Sequence, residues 1–181
     1  MSVFNSQPPK INQNHLIKWL KENYSFLSKK SISLKLLNSE RDKNFIINVN
    51  SKQKYVLKIS NSDESRKILD LQDYVLTRLV KRSSLKQYIP KKIHSSIKIY
   101  SDLIDRKCYV RILNYLDGKM YASVKNNSVL EKSLGILLGN LSKELQNLNS
   151  PYAFRKFEWN PSNIIWIRKE VKLFTGRKKE I

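Results

Sequence analysis

Two short stretches rich in β-branched and aromatic residues, Phe45-Ile46-Ile47-Asn48-Val49 and Lys54-Tyr55-Val56-Leu57-Lys58-Ile59-Ser60, flank the polar, turn-like Asn50-Ser51-Lys52-Gln53. Runs of this length joined by a few turn-forming residues predict a β-hairpin. Side chains alternate along a strand, so Val56 and Lys58 share one face while Tyr55, Leu57 and Ile59 share the other. Lys58 thus has an apolar neighbour two positions back on its own face.

Helix signals bracket this hairpin. Downstream, Asn61-Ser62-Asp63-Glu64 supplies capping side chains, and a helix is expected from Glu64 to about Val80, with Ile68, Leu71, Val75, Leu76 and Leu79 forming a buried stripe. Gln72 falls inside that stripe and should face inward. Upstream, a helix is expected from Asn12 to about Phe26, with Leu16, Trp19, Leu20 and Tyr24 on one face, followed by a strand over residues 32–37. A basic polar loop at 81–86 and Pro90 lead to strands near Lys92 to Tyr100 and Lys107 to Leu113. The longest helix should run from Ser128 to Leu148, where Leu130, Leu134, Leu137, Leu138, Leu141, Leu145 and Leu148 keep the helical period. Gly135 and Gly139 share a face of it, as tolerated surface glycines or as a place of close approach. Residues 1–10 read as a flexible tail, and Glu170 to Ile181 as a polar, basic tail. The fold class expected is α+β, an antiparallel sheet with flanking helices.

Composition bounds the partners. Thirty-five Lys and Arg against fifteen Asp and Glu leave a net charge of +20, which on its own suggests nucleic acid or an anionic surface. The basic residues, however, form short separate clusters, Lys29-Lys30, Lys81-Arg82, Lys91-Lys92 and Arg177-Lys178-Lys179, rather than one tract, so nucleic acid is the less favoured partner. No apolar run reaches the roughly 18 residues of a membrane helix, and Met1 to Pro9 has no basic region followed by an apolar core. A cytoplasmic protein without membrane association is expected. The one cysteine, Cys108, has no partner for an internal disulfide and reads as a small buried apolar residue.

Hairpin, lysine on its second strand, then a helix with a polar residue facing inward is the order of the N-lobe in the protein-kinase and aminoglycoside-phosphotransferase superfold. The segments Leu37-Asn38-Ser39-Glu40-Arg41-Asp42-Lys43-Asn44-Phe45, Tyr55-Val56-Leu57-Lys58-Ile59, Leu69-Asp70-Leu71-Gln72 and Val110-Arg111-Ile112-Leu113-Asn114-Tyr115-Leu116-Asp117-Gly118 resemble the aminoglycoside-phosphotransferase-like kinases. Within them the chain is most similar to the hydroxylysine kinase group and the related domains fused to class III aminotransferases. Phe157-Glu158-Trp159-Asn160 extends the likeness, which spans roughly residues 30 to 165.

The resemblance implies a division into a tail (1–10), an N-lobe (11–113), a hinge (114–118) and the helical start of a C-lobe (119–181), the rest of that lobe being absent. It implies a nucleotide site in which Lys58 contacts the α- and β-phosphates, Gln72 holds the lysine, and Val56 faces the base. Ser39 and the backbone of the loop Asn38 to Lys43 would cover the phosphates, and the backbone of Asn114, Tyr115 and Leu116 would bond the base. Gln72, flanked by Asp70 and Asp73, stands where many relatives have Glu; bonded to nearby backbone it would have no such role. Arg111 reads as solvated or ion-paired, and Trp159 as core or as an approach to the acceptor site.

The family's catalytic loop, His-Gly-Asp followed four residues later by Asn, and its acidic metal motif do not occur. His15 and His94 are followed by Leu16 and Ser95 and suit surface or packing roles. No Walker-type loop, zinc-ligand cluster or Ser-His-Asp set replaces them. No catalytic residue and no metal ligand is therefore assigned. The expectation is the N-terminal part of a small-molecule kinase, from an interrupted gene or a truncated product. The complete enzyme would use Mg²⁺ with GTP or ATP to phosphorylate a hydroxyl of an amino-acid or amine substrate, hydroxylysine first among them, while this chain alone would be inactive. The alternative is a basic, non-enzymatic module that binds nucleic acid or a partner protein.

Overall fold

In the computed structural model, which describes residues 6–82, 84–154, 165 and 168, the chain divides into two compact units, 1–148 and 149–181. The first holds α1 (Gln13–Asn23), β1 (Ile32–Leu37), β2 (Lys43–Val49), β3 (Gln53–Ile59), α2 (Arg66–Leu79), β4 (Lys98–Ser101), β5 (Lys107–Asn114) and α3 (Ser128–Leu145). In the second, a short 3₁₀ turn spans Pro151–Ala153. Phe157 to Asn160 and the tail 170–181 lie outside the described residues.

The five strands form one antiparallel sheet in the order β1-β2-β3-β5-β4. This is the α+β architecture expected, with helices on both faces. The β2–β3 turn requires left-handed backbone at Asn50 (φ 49°) and Ser51 (φ 57°). Asn tolerates that region better than most residues, and here its Oδ1 also accepts from the N–H of Ser31 at 3.1 Å, tying the turn to the start of β1.

Alternation sorts the sheet into two faces. On one, Phe45, Ile47, Val49, Leu57, Ile59, Cys108, Val110 and Ile112 pack against Leu16 and Leu20 of α1 and Tyr24 at its C-terminal cap. Each apolar side chain so buried contributes about 2 kcal/mol. Asn12 caps α1, its Oδ1 accepting from the N–H groups of Asn14 and His15, so the helix starts where its sequence predicted. Cys108 is buried in this core, and burial pushes its thiol up to about 11.

The opposite face carries Lys58, and α2 lies over its β5 side. The phase of α2 differs from expectation by one residue: Leu69, Asp73 and Leu79 are the buried positions, and Gln72 is exposed. Apolar residues at 68, 69, 71, 75, 76 and 79 occupy more than one side of the helix. The buried partners of Asp73, described below, decide which side turns inward.

One further expectation is corrected. Residues 6–10 are not a loose tail: Arg106 of the β4–β5 hairpin donates to the carbonyls of Gln7 (3.2 Å) and Pro8 (3.0 Å), and the N–H of Lys10 donates to Asp102 at 3.0 Å. Helix α3 falls within the first unit. Its Leu137 and Leu141 pack on Leu79, Leu85 and Ile89, and Glu144 pairs with Arg82 at 2.7 Å. None of its residues is fully buried, and Val129, Ile136 and Leu138 are exposed. A Cβ at Gly135 or Gly139 would meet nothing within 4 Å, so these glycines serve no close approach. No helix among the described residues is long and apolar enough to cross a membrane.

Candidate functional site

Register assembles the site. Leu37, Asn44, Lys58 and Arg111 are direct cross-strand neighbours on β1, β2, β3 and β5, and Lys35, Ile46, Val56 and Leu113 form the adjacent row. Residues directly opposite in antiparallel strands project from the same face, with Cβ atoms about 5 Å apart. A polar, cationic row therefore runs beside the largely apolar row Ile46-Val56-Leu113, and both contain residues that sequence assigned to a nucleotide.

Arg111 is buried by its partners on α2. Its Nη1 donates to Asp73 Oδ1 at 3.0 Å and its Nη2 to Gln72 Oε1 at 2.8 Å. Asp73 Oδ2 in turn pairs with Lys92 Nζ at 2.8 Å. The ion-paired reading of Arg111 is thus the correct one. The expected Gln72–Lys58 contact is not formed; the Gln72 amide oxygen accepts from Arg111 instead.

Lys58 itself makes no hydrogen bond or ion pair among the described residues. Burial holds its ammonium below the ordinary lysine value; the Asp42 carboxylate acts to raise it and the Arg111 guanidinium to lower it further. Three cations, Lys58, Lys92 and Arg111, accordingly face two carboxylates, Asp42 and Asp73. Asp42 is the contribution that sequence reasoning missed: it closes the β1–β2 loop, its Oδ1 accepting from the N–H of Asn61 at 3.1 Å. Its place one residue before β2 was the available signal, since that strand pairs directly with β3.

Ser39 does not join this row. Its hydroxyl donates to the carbonyl of Asp42 at 2.6 Å, closing the loop on itself. Ser39 lines a concavity of about 500 Å³ together with Leu36, Leu37, Asn38, Glu40 and Lys43, a lining that does not include Lys58.

Val56, by contrast, sits in the apolar row, on the same face as Lys58. Beyond Leu113, the N–H of Asn114 donates to Lys91 O at 2.9 Å, that of Tyr115 to Lys54 O at 3.4 Å, and Asn114 Oδ1 accepts from the N–H of Lys91. These two backbone donors are used within the chain, so of the three hinge residues Leu116 keeps an N–H with no bond among the described residues. His94 accepts the Ser96 N–H at 3.2 Å and stacks edge-on to Tyr24, a packing role.

Among the described residues no three His, Cys, Asp or Glu side chains come together to hold a metal ion. The Mg²⁺ implied by the resemblance finds no ligand set there. No model of a known protein family matches the chain, and no curated protein matches it.

Proposed function

We propose that this chain is the nucleotide-binding lobe of a small-molecule kinase of the aminoglycoside-phosphotransferase type, with Lys58 as its phosphate-binding cation. The observation that carries the reading is the pair of neighbouring rows on one sheet face. The apolar Ile46, Val56 and Leu113 offer a wall for a base, and the row beside it offers a desolvated ammonium with no hydrogen-bonded acceptor among the described residues. A partly buried cation is stabilised by an anion that enters beside it, and polyphosphate is the anion that an adjoining base-sized apolar strip would accompany. A five-stranded antiparallel sheet, with a helix entering directly after the lysine strand, is compatible with a kinase N-lobe.

The complete reaction would transfer the γ-phosphate of GTP or ATP to a hydroxyl of an amino-acid or amine acceptor, hydroxylysine being the leading candidate by resemblance. Such chemistry is mostly positioning and charge neutralisation. Lys58 supplies part of the neutralisation, while no His-Gly-Asp loop in the 181 residues supplies a base. Purified chain should therefore bind nucleotide and form no phosphorylated hydroxylysine.

The contrasting reading, a basic interaction module, draws on the net charge of +20. Two of the basic clusters spend a cation internally, Arg82 on Glu144 and Lys92 on Asp73, which weakens it. Thermal melting with ATP, GTP or a single-stranded oligonucleotide separates the two. Nucleotide-dependent stabilisation that disappears in Lys58→Ala supports the kinase lobe. Stabilisation by oligonucleotide alone, steeply salt-dependent, would replace it with the interaction module.

A further inference from the structure

Asn44 and Lys58 are direct cross-strand partners, and each lacks what the other offers. Asn44 Oδ1 is buried and accepts no hydrogen bond among the described residues. The Lys58 ammonium, on the same face, donates none among the described residues. An unmet acceptor and an unmet cationic donor in one low-dielectric row each carry a desolvation cost that a bond between them would remove. Direct cross-strand partners stand about 5 Å apart at Cβ, and a lysine stem has four carbons and several staggered rotamers, so a side-chain rotation is enough to bring the ammonium to the neighbouring amide. Gln72, the amide that the resemblance gives this task, is held by Arg111.

We propose that Asn44, from β2, is the residue that positions the Lys58 ammonium. Its use in holding an anion rests on the reading above; the Asn44–Lys58 pairing does not. One of the three ammonium protons goes to Asn44 Oδ1, which leaves two directed away from the sheet. An amide orients the cation without neutralising it, so the full charge remains for an incoming anion. A carboxylate at the same place would compete with that anion. The other charged groups that bear on Lys58 are Asp42 from the β1–β2 loop and Arg111 from β5, the latter tied to Asp73 of α2 and through it to Lys92. None of these takes the place opposite Lys58 on β2.

Competitive acylation of the whole chain, followed by mass spectrometry of the Lys58 peptide from about pH 7 to about pH 11, measures the titration of that one ammonium. Asn44→Leu removes an acceptor from the charged form, so the midpoint should fall and Lys58 should be acylated roughly tenfold faster near neutrality. Asn44→Asp, of the same size, should move the midpoint upward and slow the reaction, whereas Gln72→Leu should leave it in place. If Asn44→Leu fails to fold, the isosteric Asp variant decides alone. An unmoved midpoint in Asn44→Asp, or a shift in Gln72→Leu as large as that in Asn44→Leu, overturns the proposal. No nucleotide enters this experiment, so its failure is distinct from a failure of the kinase reading.

Discussion

Asp73 of α2 and Arg111 of β5 form a buried ion pair at 3.0 Å, with about 7% and 8% of their side-chain surfaces exposed. That pair docks the helix on the lysine face of the sheet, and it does so one residue away from the position that apolar spacing predicted. Two charges taken out of water are tolerable together and costly apart. Asp73→Ala would leave both Arg111 and Lys92 without their carboxylate, and a loss of about 3 kcal/mol is expected in urea unfolding. The double variant Asp73→Leu with Arg111→Met should recover most of that loss; equal instability of single and double variants would contradict the pairing.

Lys58 should behave in the opposite way. A partly buried ammonium with no carboxylate bonded to it among the described residues is a liability to folding even where one amide accepts from it, so Lys58→Met is expected to raise stability by about 1 kcal/mol. Binding sites commonly carry such destabilising groups. Chemical denaturation of both chains checks this, and a Met variant clearly less stable than the wild type would show that Lys58 serves the fold instead.

Acid should loosen the β4–β5 hairpin. Burial would raise the Asp102 carboxyl, but the Arg106 guanidinium and the N–H groups of Lys10, Arg106 and Ile104 outweigh it and hold it at about 2, below its usual 3.8. A depressed carboxyl stabilises the fold above 3.8, and the contribution is lost as the pH falls towards 2. The loss expected is about 1 to 2 kcal/mol, allowing for screening near the surface. Melting curves over this range should show the wild type converging on Asp102→Asn as the pH falls; a constant difference would contradict the assignment.

At the β2–β3 turn, Ser51 holds φ at 57°, where a Cβ costs about 1 kcal/mol and glycine escapes that cost. Ser51→Gly should raise stability by about 0.5 kcal/mol, net of glycine's greater unfolded-state freedom, and Ser51→Val should lower it by about 1. Denaturant midpoints that rank the three chains differently would mean that the turn relaxes elsewhere.

Local patterns were legible wherever the physics was local. Strand β1 has the predicted limits, α1 starts after its Asn12 cap, and the alternation of β3 sends Lys58 and Leu57 to opposite faces. What escaped depended on pairing at a distance. The phase of α2 turned on Arg111, a partner 38 residues from Asp73. Residues 6–10 have no periodicity of their own and are held by groups more than 90 positions away. Asn44 and Asp42 gained significance only when register placed β2 against β3. The periodic apolar positions of α3 announced a helix, yet periodicity does not specify what covers a helix face, and much of this one is exposed.

The measurement that bears most directly on Lys58 is a titration of the chain and of Lys58→Met with a fluorescent ATP or GTP analogue at physiological salt, using an oligonucleotide for comparison. If Lys58 is the phosphate-binding cation, the wild type binds nucleotide saturably and the variant binds it at least about tenfold more weakly, the loss of roughly one ionic hydrogen bond. Oligonucleotide binding should be the same for both chains. Equal nucleotide binding by the two chains, or none by the wild type, would contradict a kinase-type nucleotide site at Lys58.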